Sequence, residues 1–136
     1  MAQSDLERLV KLRAGNRCEY CQMHQGLQGA TFHVEHVIPQ SRGGRTELAN
    51  LAWACPGCNL HKSNRTELLN PDDGSAVEIF NPRIHLWTEH FGWEDYHLIG
   101  LTTIGRALIS AFQLNHERRI RIRQAEQMFG MFPPET

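Results

Sequence analysis

Four cysteines arranged in two CxxC pairs constrain the fold of this chain more than any other feature. Cys18 and Cys21 stand in the segment CEYC, and Cys55 and Cys58 stand in CPGC. Two such pairs supply four thiolates that can converge tetrahedrally on one zinc ion. A reducing compartment disfavours disulfides, and a redox CxxC usually occurs singly within a βαβ pattern, which is absent here. We therefore predict one structural zinc site, in preference to free core cysteines or a redox pair.

The length and charge of the chain limit how many domains it can form and which partners its composition indicates. The chain has 136 residues, of which 40% are hydrophobic, and this is enough for one compact domain and too little for two well-packed ones. The formal net charge of -1 does not indicate a nucleic-acid partner, so such a partner has to be inferred from local sites. No apolar run reaches the roughly 18 residues of a membrane span. The first residues lack the layout of a signal peptide. We predict a single soluble domain in the cytoplasm.

Apolar spacing and turn residues predict short helices and strands around the cysteine pairs. Ser4 is placed to cap a first helix that ends near Gly15. The segment TFHVEHVI, residues 31–38, is rich in β-formers and is predicted to be a strand. A short helical turn leads into a buried second strand around residues 51–54. The segment NLHKSNRTELL, residues 59–69, is predicted to form a helix.

The second half of the chain is less regular. We predict strands at 75–80 and 96–101, a short helix at 84–91, and a helix at 104–114 capped by Thr102 or Thr103. Asn115 is predicted to cap a last helix over residues 116–129. That helix carries four arginines interspersed with glutamates, and we predict a solvated face, with a nucleic-acid backbone contact as the alternative. The four are Arg118, Arg119, Arg121 and Arg123.

Residues 33–62 form a composite motif, HVEHVIPQSRGGRTELANLAWACPGCNLHK. A strand carries an acid and a histidine, a Gly-rich loop and an asparagine follow, and a second asparagine comes directly after a cysteine. From Cys18 to about Lys62 this pattern resembles the HNH family of ββα-metal endonucleases in its zinc-stapled form. The segments EIFNPR and GLTTIGRA in the tail are similar to those of small stand-alone bacterial members.

The resemblance implies a small α+β fold. It has a ββα-metal core at about 16–66, stapled by a zinc site of four cysteines, and a helical C-terminal extension at about 67–136. Both parts belong to one HNH endonuclease domain, 1–136. The implied activity is metal-dependent hydrolysis of DNA, leaving a 5′-phosphate and a 3′-hydroxyl.

The residue types suit this chemistry. His36 is the natural general base, because an imidazole can accept a proton at cellular pH. Glu35 and Asn59 offer hard oxygen donors for one catalytic Mg²⁺ or Mn²⁺, although a surface salt bridge and a helix cap are the simpler alternatives. By resemblance, Asn50 braces the loop that carries the base. His33 shares the face of Glu35 and is either a further metal ligand or an ordinary buried histidine.

The motif also makes a geometric demand. Neighbouring residues on a regular strand face opposite sides, so Glu35 and His36 can share a pocket only if the strand ends there. Pro39 and the loop beyond it favour such an end. Glu35 is a departure, since the family more often has Asp at this place. The longer side chain changes the reach of the carboxylate toward a metal.

Four basic residues flank the motif and are predicted phosphate contacts, with solvated surface charge as the alternative: Arg42, Arg45, Lys62 and Arg65. No element for base readout is recognisable, so we predict low sequence specificity on DNA. The oligomeric state is left open between monomer and homodimer. Two other functions remain open, namely a catalytically inactive zinc module that binds nucleic acid or protein, and a nuclease acting on RNA.

Overall fold

A computed structural model describes residues 3–135, which combine helices with three two-stranded antiparallel sheets. The mixture of helices and small sheets confirms the coarse α+β class. Helices are α1 (Gln3–Arg13), α2 (Pro56–Lys62), α3 (Trp87–His90), α4 (Thr103–Phe112) and α5 (Glu117–Met128). Strands are β1 (His33–His36), β2 (Leu51–Ala54), β3 (Glu67–Leu69), β4 (Ala76–Glu78), β5 (Phe91–Glu94) and β6 (His97–Gly100).

The chain divides into two compact units. One is Met1–Asn64 with Asn81–Ile84, and the other is Arg65–Phe80 with His85–Thr136. The organisation as one HNH domain stays a prediction. Within residues 3–135, no helix is both long enough and apolar enough to cross a membrane. The cytoplasmic location also stays a prediction.

In the first unit, β1 and β2 form a hairpin-like pair in which His36 lies opposite Leu51. All four residues of β2 are buried, and α1 packs against both strands while α2 packs against β1. Arg13, in the last turn of α1, donates to the carbonyl oxygens of Leu48 at 2.9 Å and Leu51 at 2.5 Å. The predicted strands at 31–38 and 51–54 are thus confirmed, with β1 shorter than the pattern suggested.

Two helix ends differ from the predictions. Ser4 lies inside α1 and does not cap it. The helix predicted over 59–69 begins earlier and ends at Lys62, where Ser63 takes a φ of 51°. Cys55 caps α2 through its sulfur, which accepts from the amide of Cys58. Residues Glu67–Leu69 form β3 instead, because burying Leu68 between two exposed neighbours satisfies a strand period better than a helical one.

In the second unit, α4 packs against β6 and against the β3–β4 pair. Thr102 caps α4, as predicted, by accepting from the amide of Gly105 at 3.1 Å. A Cβ on Gly105 would lie 2.1 Å from the carbonyl oxygen of His90, so only glycine allows this approach to the end of α3. The pairing of β5 with β6, across a turn that places Asp95 at a φ of 52°, was not predicted.

Asn115 does not cap α5, and that prediction is wrong. The cap is His116, whose Nδ1 accepts from the amide of Arg118 at 3.1 Å. Asn115 instead pairs with the backbone of Leu98 in β6, accepting from its amide and donating to its carbonyl, both at 2.8 Å. An amide side chain has one donor and one acceptor group, so it can replace a neighbouring strand at this position.

The solvated face predicted for the last helix is wrong for two of its arginines. Arg119 and Arg123 are buried, together with Glu126. The guanidinium of Arg123 lies 5.1 Å from the ring centroid of Trp93. Its hydrogen bonds go to the carbonyl oxygens of Tyr96 (2.9 Å) and Leu114 (2.5 Å) and to Oδ1 of Asn115 (3.2 Å). Arg123 therefore links two backbone segments of the second unit, at Tyr96 and at Leu114, through hydrogen bonds.

Two substitutions on the same helix test this difference. Arg123→Ala should lower the free energy of unfolding by about 3 kcal/mol or more, because it leaves several buried acceptors unpaired. Arg121→Ala removes an exposed pair with Glu117 and should cost about 0.5 kcal/mol or less. Urea denaturation followed by far-UV circular dichroism measures both values. Equal midpoints for the two variants would contradict the buried role.

Candidate functional site

The four cysteines meet in one buried cluster, although they come from segments far apart in sequence. Their sulfur atoms all lie within 4.8 Å of one another, and all four cysteines are free of disulfides. The sulfurs of Cys21 and Cys55 are 3.8 Å apart, which is about the 3.8 Å that a tetrahedral ion with 2.3 Å metal–sulfur bonds requires. The cluster can therefore hold a metal such as zinc.

The surroundings of the sulfurs also suit a metal. The amide of Cys21 points to the sulfur of Cys18 at 3.5 Å, and the amide of Cys58 points to that of Cys55 at 3.4 Å. Such N–H donors orient thiolate ligands and reduce their charge. Burial raises the pKa of the Cys18 and Cys58 thiols well above the ordinary range. Thiolates are stable in this position when a cation compensates their charge.

The first cysteine pair is tied to the sheet and to a short segment of the tail. The amide of Glu19 donates to the carbonyl oxygen of Trp53 at 2.8 Å, and the Glu19 carboxylate accepts from the amide of Trp53 at 2.8 Å. The same carboxylate forms a largely buried ion pair with Arg83. Arg83 belongs to the EIFNPR segment, so this part of the tail folds with the first unit.

The Glu35 carboxylate lies inside the first unit and is engaged on both oxygens. Its residue is only 6% exposed. The hydroxyl of Tyr20 donates to Oε1 at 2.5 Å, and Nζ of Lys62 lies 2.5 Å from Oε2. Burial raises the pKa of Glu35, while the charge and hydrogen bond of Lys62 and the hydrogen bond of Tyr20 lower it. Burial and the Glu35 charge raise the pKa of Tyr20 well above its usual range, so Tyr20 acts as a neutral donor.

His36 is the last residue of β1, which ends where the geometric argument required it to end. Its side chain is half-buried, and Nε2 lies 2.8 Å from Oγ1 of Thr46. The side-chain amide of Gln40 donates to the same hydroxyl oxygen at 3.3 Å. Thr46 therefore orients the imidazole from the loop that follows β1. The backbone carbonyl of His36 accepts from Nζ of Lys62 at 3.1 Å.

Asn50 is buried and holds the loop between β1 and β2. Its Oδ1 accepts from the amide of Ile38 at 2.9 Å, and its Nδ2 donates to the carbonyl oxygens of Ile38 at 3.0 Å and Arg45 at 2.9 Å. The backbone at Gly44 lies very close to the backbone at Ile38, since a Cβ on Gly44 would lie 1.7 Å from the carbonyl oxygen of Ile38. One asparagine and one glycine thus set the path of the chain after His36.

The other predicted site residues lie in varied surroundings. Asn59 is half-buried on α2, and His33 is exposed at the start of β1. Arg42 and Arg45 are exposed on the loop, and Nε of Arg42 donates to the carbonyl oxygen of Asn64 at 3.0 Å. Arg65 is half-buried in the second unit. The convergence of a carboxylate, an imidazole and an amide on one cation stays a prediction.

Sequence reasoning missed three features of this site. Tyr20, inside the first CxxC, was not singled out, and neither was Thr46. The sequence predicts a phosphate contact at Lys62, whereas its side chain is wholly buried against Glu35. The sequence contained one usable signal: Tyr20 lies between two cysteines that had to be buried, so its hydroxyl needed a buried partner.

The comparisons with known proteins bear on the first unit. A family model described as HNH endonuclease matches residues 18–65. This range includes the four cysteines, β1, the loop and α2. Neither the curated proteins nor the solved structures contain a match to the chain.

Removal of the metal should destabilise the first unit. We expect the purified protein to contain one divalent metal ion per chain at the cysteine cluster. A chelator should lower the thermal unfolding midpoint markedly, because metal affinity at such sites adds directly to the free energy of unfolding. Elemental analysis and circular dichroism before and after dialysis measure both. An unchanged midpoint in metal-free protein would show that the cluster needs no ion.

Asn50→Asp tests whether Asn50 holds the loop between β1 and β2 in place. A carboxylate keeps the acceptor for the amide of Ile38 but faces two carbonyl oxygens without a hydrogen to donate, so stability should fall by about 3 kcal/mol. Hydrogen exchange should accelerate for the amides of Val37 to Arg45. Asn64→Asp, at an exposed position, is the matched control and should change neither measurement. Similar exchange rates in the two variants would contradict a bracing role.

Proposed function

We propose that this chain, in which residues 18–65 match a family model described as HNH endonuclease, is a metal-dependent nuclease that hydrolyses DNA phosphodiester bonds. The products carry a 5′-phosphate and a 3′-hydroxyl. The observation that supports this most directly is His36, which ends β1, directly follows the buried Glu35 in sequence and is oriented by Thr46. In the proposed ββα-metal core, β1, β2 and α2 are the three elements.

His36 is the general base of the proposed reaction. In the proposed tautomer the Nε2 N–H donates to Oγ1 of Thr46, so Nδ1 is the nitrogen that takes a proton from water. The path of the backbone at and after His36 is held by Lys62, at the carbonyl of His36, and by Asn50, at the amide of Ile38. Such fixed orientation favours catalysis, since the base does not have to be ordered during the reaction.

Glu35 and Asn59 are the proposed ligands of a catalytic Mg²⁺ or Mn²⁺, with His33 as a further candidate. When bound, the ion neutralises charge on the phosphate and on the leaving oxygen. The donor set suits a hard divalent ion, because a carboxylate and an amide both offer oxygen. One oxygen of the Glu35 carboxylate already pairs with the ammonium of Lys62, so a divalent ion would bind beside a positive charge.

The ion in the cysteine cluster is proposed to be zinc in a structural role. Four thiolates close a tetrahedral site and leave no open position for a substrate or water, whereas catalytic zinc sites keep one. Zinc would join the first CxxC to the start of α2. It thereby holds together the two segments whose side chains approach Glu35.

Three arginines are the proposed phosphate contacts. Arg42 and Arg45 extend from the loop after β1, and Arg65 is a further candidate at the end of the matched segment. Binding of this kind neutralises phosphates without reading bases, so it should weaken steeply with salt. We propose a single cytoplasmic domain, 1–136, with low sequence specificity, as a monomer or a homodimer. RNA is the alternative substrate of the same site.

One observation favours a second function. Both oxygens of Glu35 are occupied by Tyr20 and Lys62, an arrangement that also suits a catalytically inactive zinc module binding nucleic acid or a protein. In such a module the carboxylate would hold the fold together and coordinate no ion. The two functions differ in one measurable property, namely turnover of a nucleic-acid substrate.

Plasmid cleavage tests the proposal. Incubation of supercoiled DNA with the protein and Mg²⁺ or Mn²⁺ should give nicked or linear products. His36→Ala should lower the rate by about 100-fold or more, because the base is lost, while the metal content of the cysteine cluster stays unchanged. His97→Ala, an exposed histidine of the second unit, is the control and should cleave like the native protein. A parallel RNA digest identifies the preferred substrate, and a lack of cleavage in both digests would favour the inactive module.

A further inference from the structure

Lys62 is unusual because its ammonium is completely buried. Its side chain is 0% exposed, and its charge is balanced by the Glu35 carboxylate, which is 5% exposed. Nζ also contacts the carbonyl oxygen of His36 at 3.1 Å. A buried ammonium is costly to desolvate and persists only with a close anion and further hydrogen bonds. Lys62 has both, and in this arrangement its charge faces the protein interior.

The two partners of Glu35 come from the two cysteine pairs. Tyr20 lies between Cys18 and Cys21, and Lys62 lies four residues after Cys58. Each pair thus supplies one hydrogen-bond donor to the same carboxylate, Tyr20 to Oε1 and Lys62 to Oε2. The position of the carboxylate is therefore linked to the folding of both cysteine pairs.

We propose that Lys62 is a positioning residue that acts as the internal counter-cation of Glu35, opposing divalent-metal binding there while it holds the His36 backbone. This inference rests on the proposed nuclease site. Two cations near one carboxylate repel each other, and this repulsion is strong at buried positions, where water screens little. Lys62 therefore holds the Glu35 carboxylate in place in the metal-free protein, and it sets how tightly a divalent ion binds.

The counter-cation role and a phosphate-contact role predict different behaviour. A phosphate contact adds to DNA affinity and makes that affinity more dependent on salt. Its loss would therefore weaken DNA binding and make the affinity fall less steeply with salt concentration. A buried counter-cation does neither. Its loss would instead increase the affinity for a divalent ion, provided that Glu35 is a ligand.

Mn²⁺ binding decides between these roles without requiring cleavage. In zinc-loaded protein, Lys62→Met should bind Mn²⁺ about tenfold more tightly than the native chain, as measured by electron paramagnetic resonance of free Mn²⁺. In the Glu35→Gln background, the same substitution should change the affinity by less than about twofold, because the carboxylate is absent. Lys11→Met, at the other lysine of the chain, is exposed on α1 and serves as the charge-matched control.

DNA binding and catalysis supply a second readout. Without added divalent ions, the DNA affinity of Lys62→Met should fall with increasing salt concentration as steeply as that of the native protein. If the native protein cleaves DNA, the variant should lose kcat, through the untethered His36, while KM for DNA changes by less than about twofold. A reduced salt slope would assign Lys62 to phosphate and overturn the inference.

The outcomes separate this inference from the proposed function. Unchanged or weaker Mn²⁺ affinity in Lys62→Met overturns the counter-cation role, as does an absence of Mn²⁺ binding in both proteins. If Lys62→Met does not fold, the Lys62→Met/Glu35→Gln chain removes both charges, and it should bind Mn²⁺ no more tightly than Glu35→Gln. A native chain that cleaves no nucleic acid contradicts the nuclease proposal alone, because the Mn²⁺ affinities are measured without turnover.

Discussion

The convergence of four buried thiols is the constraint on which the first unit depends. A tetrahedral set of sulfurs within 4.8 Å requires two segments, more than thirty residues apart, to meet at one point. Once they meet, the first CxxC lies against β2 through Glu19 and Trp53, and the second CxxC starts α2. A short sheet and a seven-residue helix have little stability alone, so this cross-link supplies what a small core lacks.

Buried charge is the second organising feature, and it appears in both units. In the first unit the Glu35 carboxylate and the Lys62 ammonium are paired in the interior, and in the second unit the Arg123 guanidinium binds three backbone or amide oxygens. Such groups contribute little net stability compared with apolar residues of the same size. They do penalise other arrangements heavily, since any misplacement leaves a charge buried without a partner. Their effect is therefore to specify geometry.

The loop after β1 shows how uncharged groups complete this specification. Asn50 binds backbone on both sides of the loop, and Gly44 allows an approach that a side chain would block. Thr46 then orients His36 from the same loop. A histidine at a strand end has many rotamers available, and here the choice is made by a hydroxyl ten residues away. Precise orientation at the proposed base thus depends on hydrogen bonds and not on the strand itself.

The sequence by itself determined the features that depend on spacing. CxxC pairs, the β-formers around Glu35, and the Thr102 cap are local patterns, and each one predicted its element because the physical cause lies within a few residues. Tertiary structure decided the partners of polar side chains. Asn115 binds the backbone of β6 and does not cap the helix, Arg123 is buried, and Lys62 pairs with Glu35. These outcomes depend on which surfaces become buried together, and long polar side chains reach partners that sequence distance does not reveal.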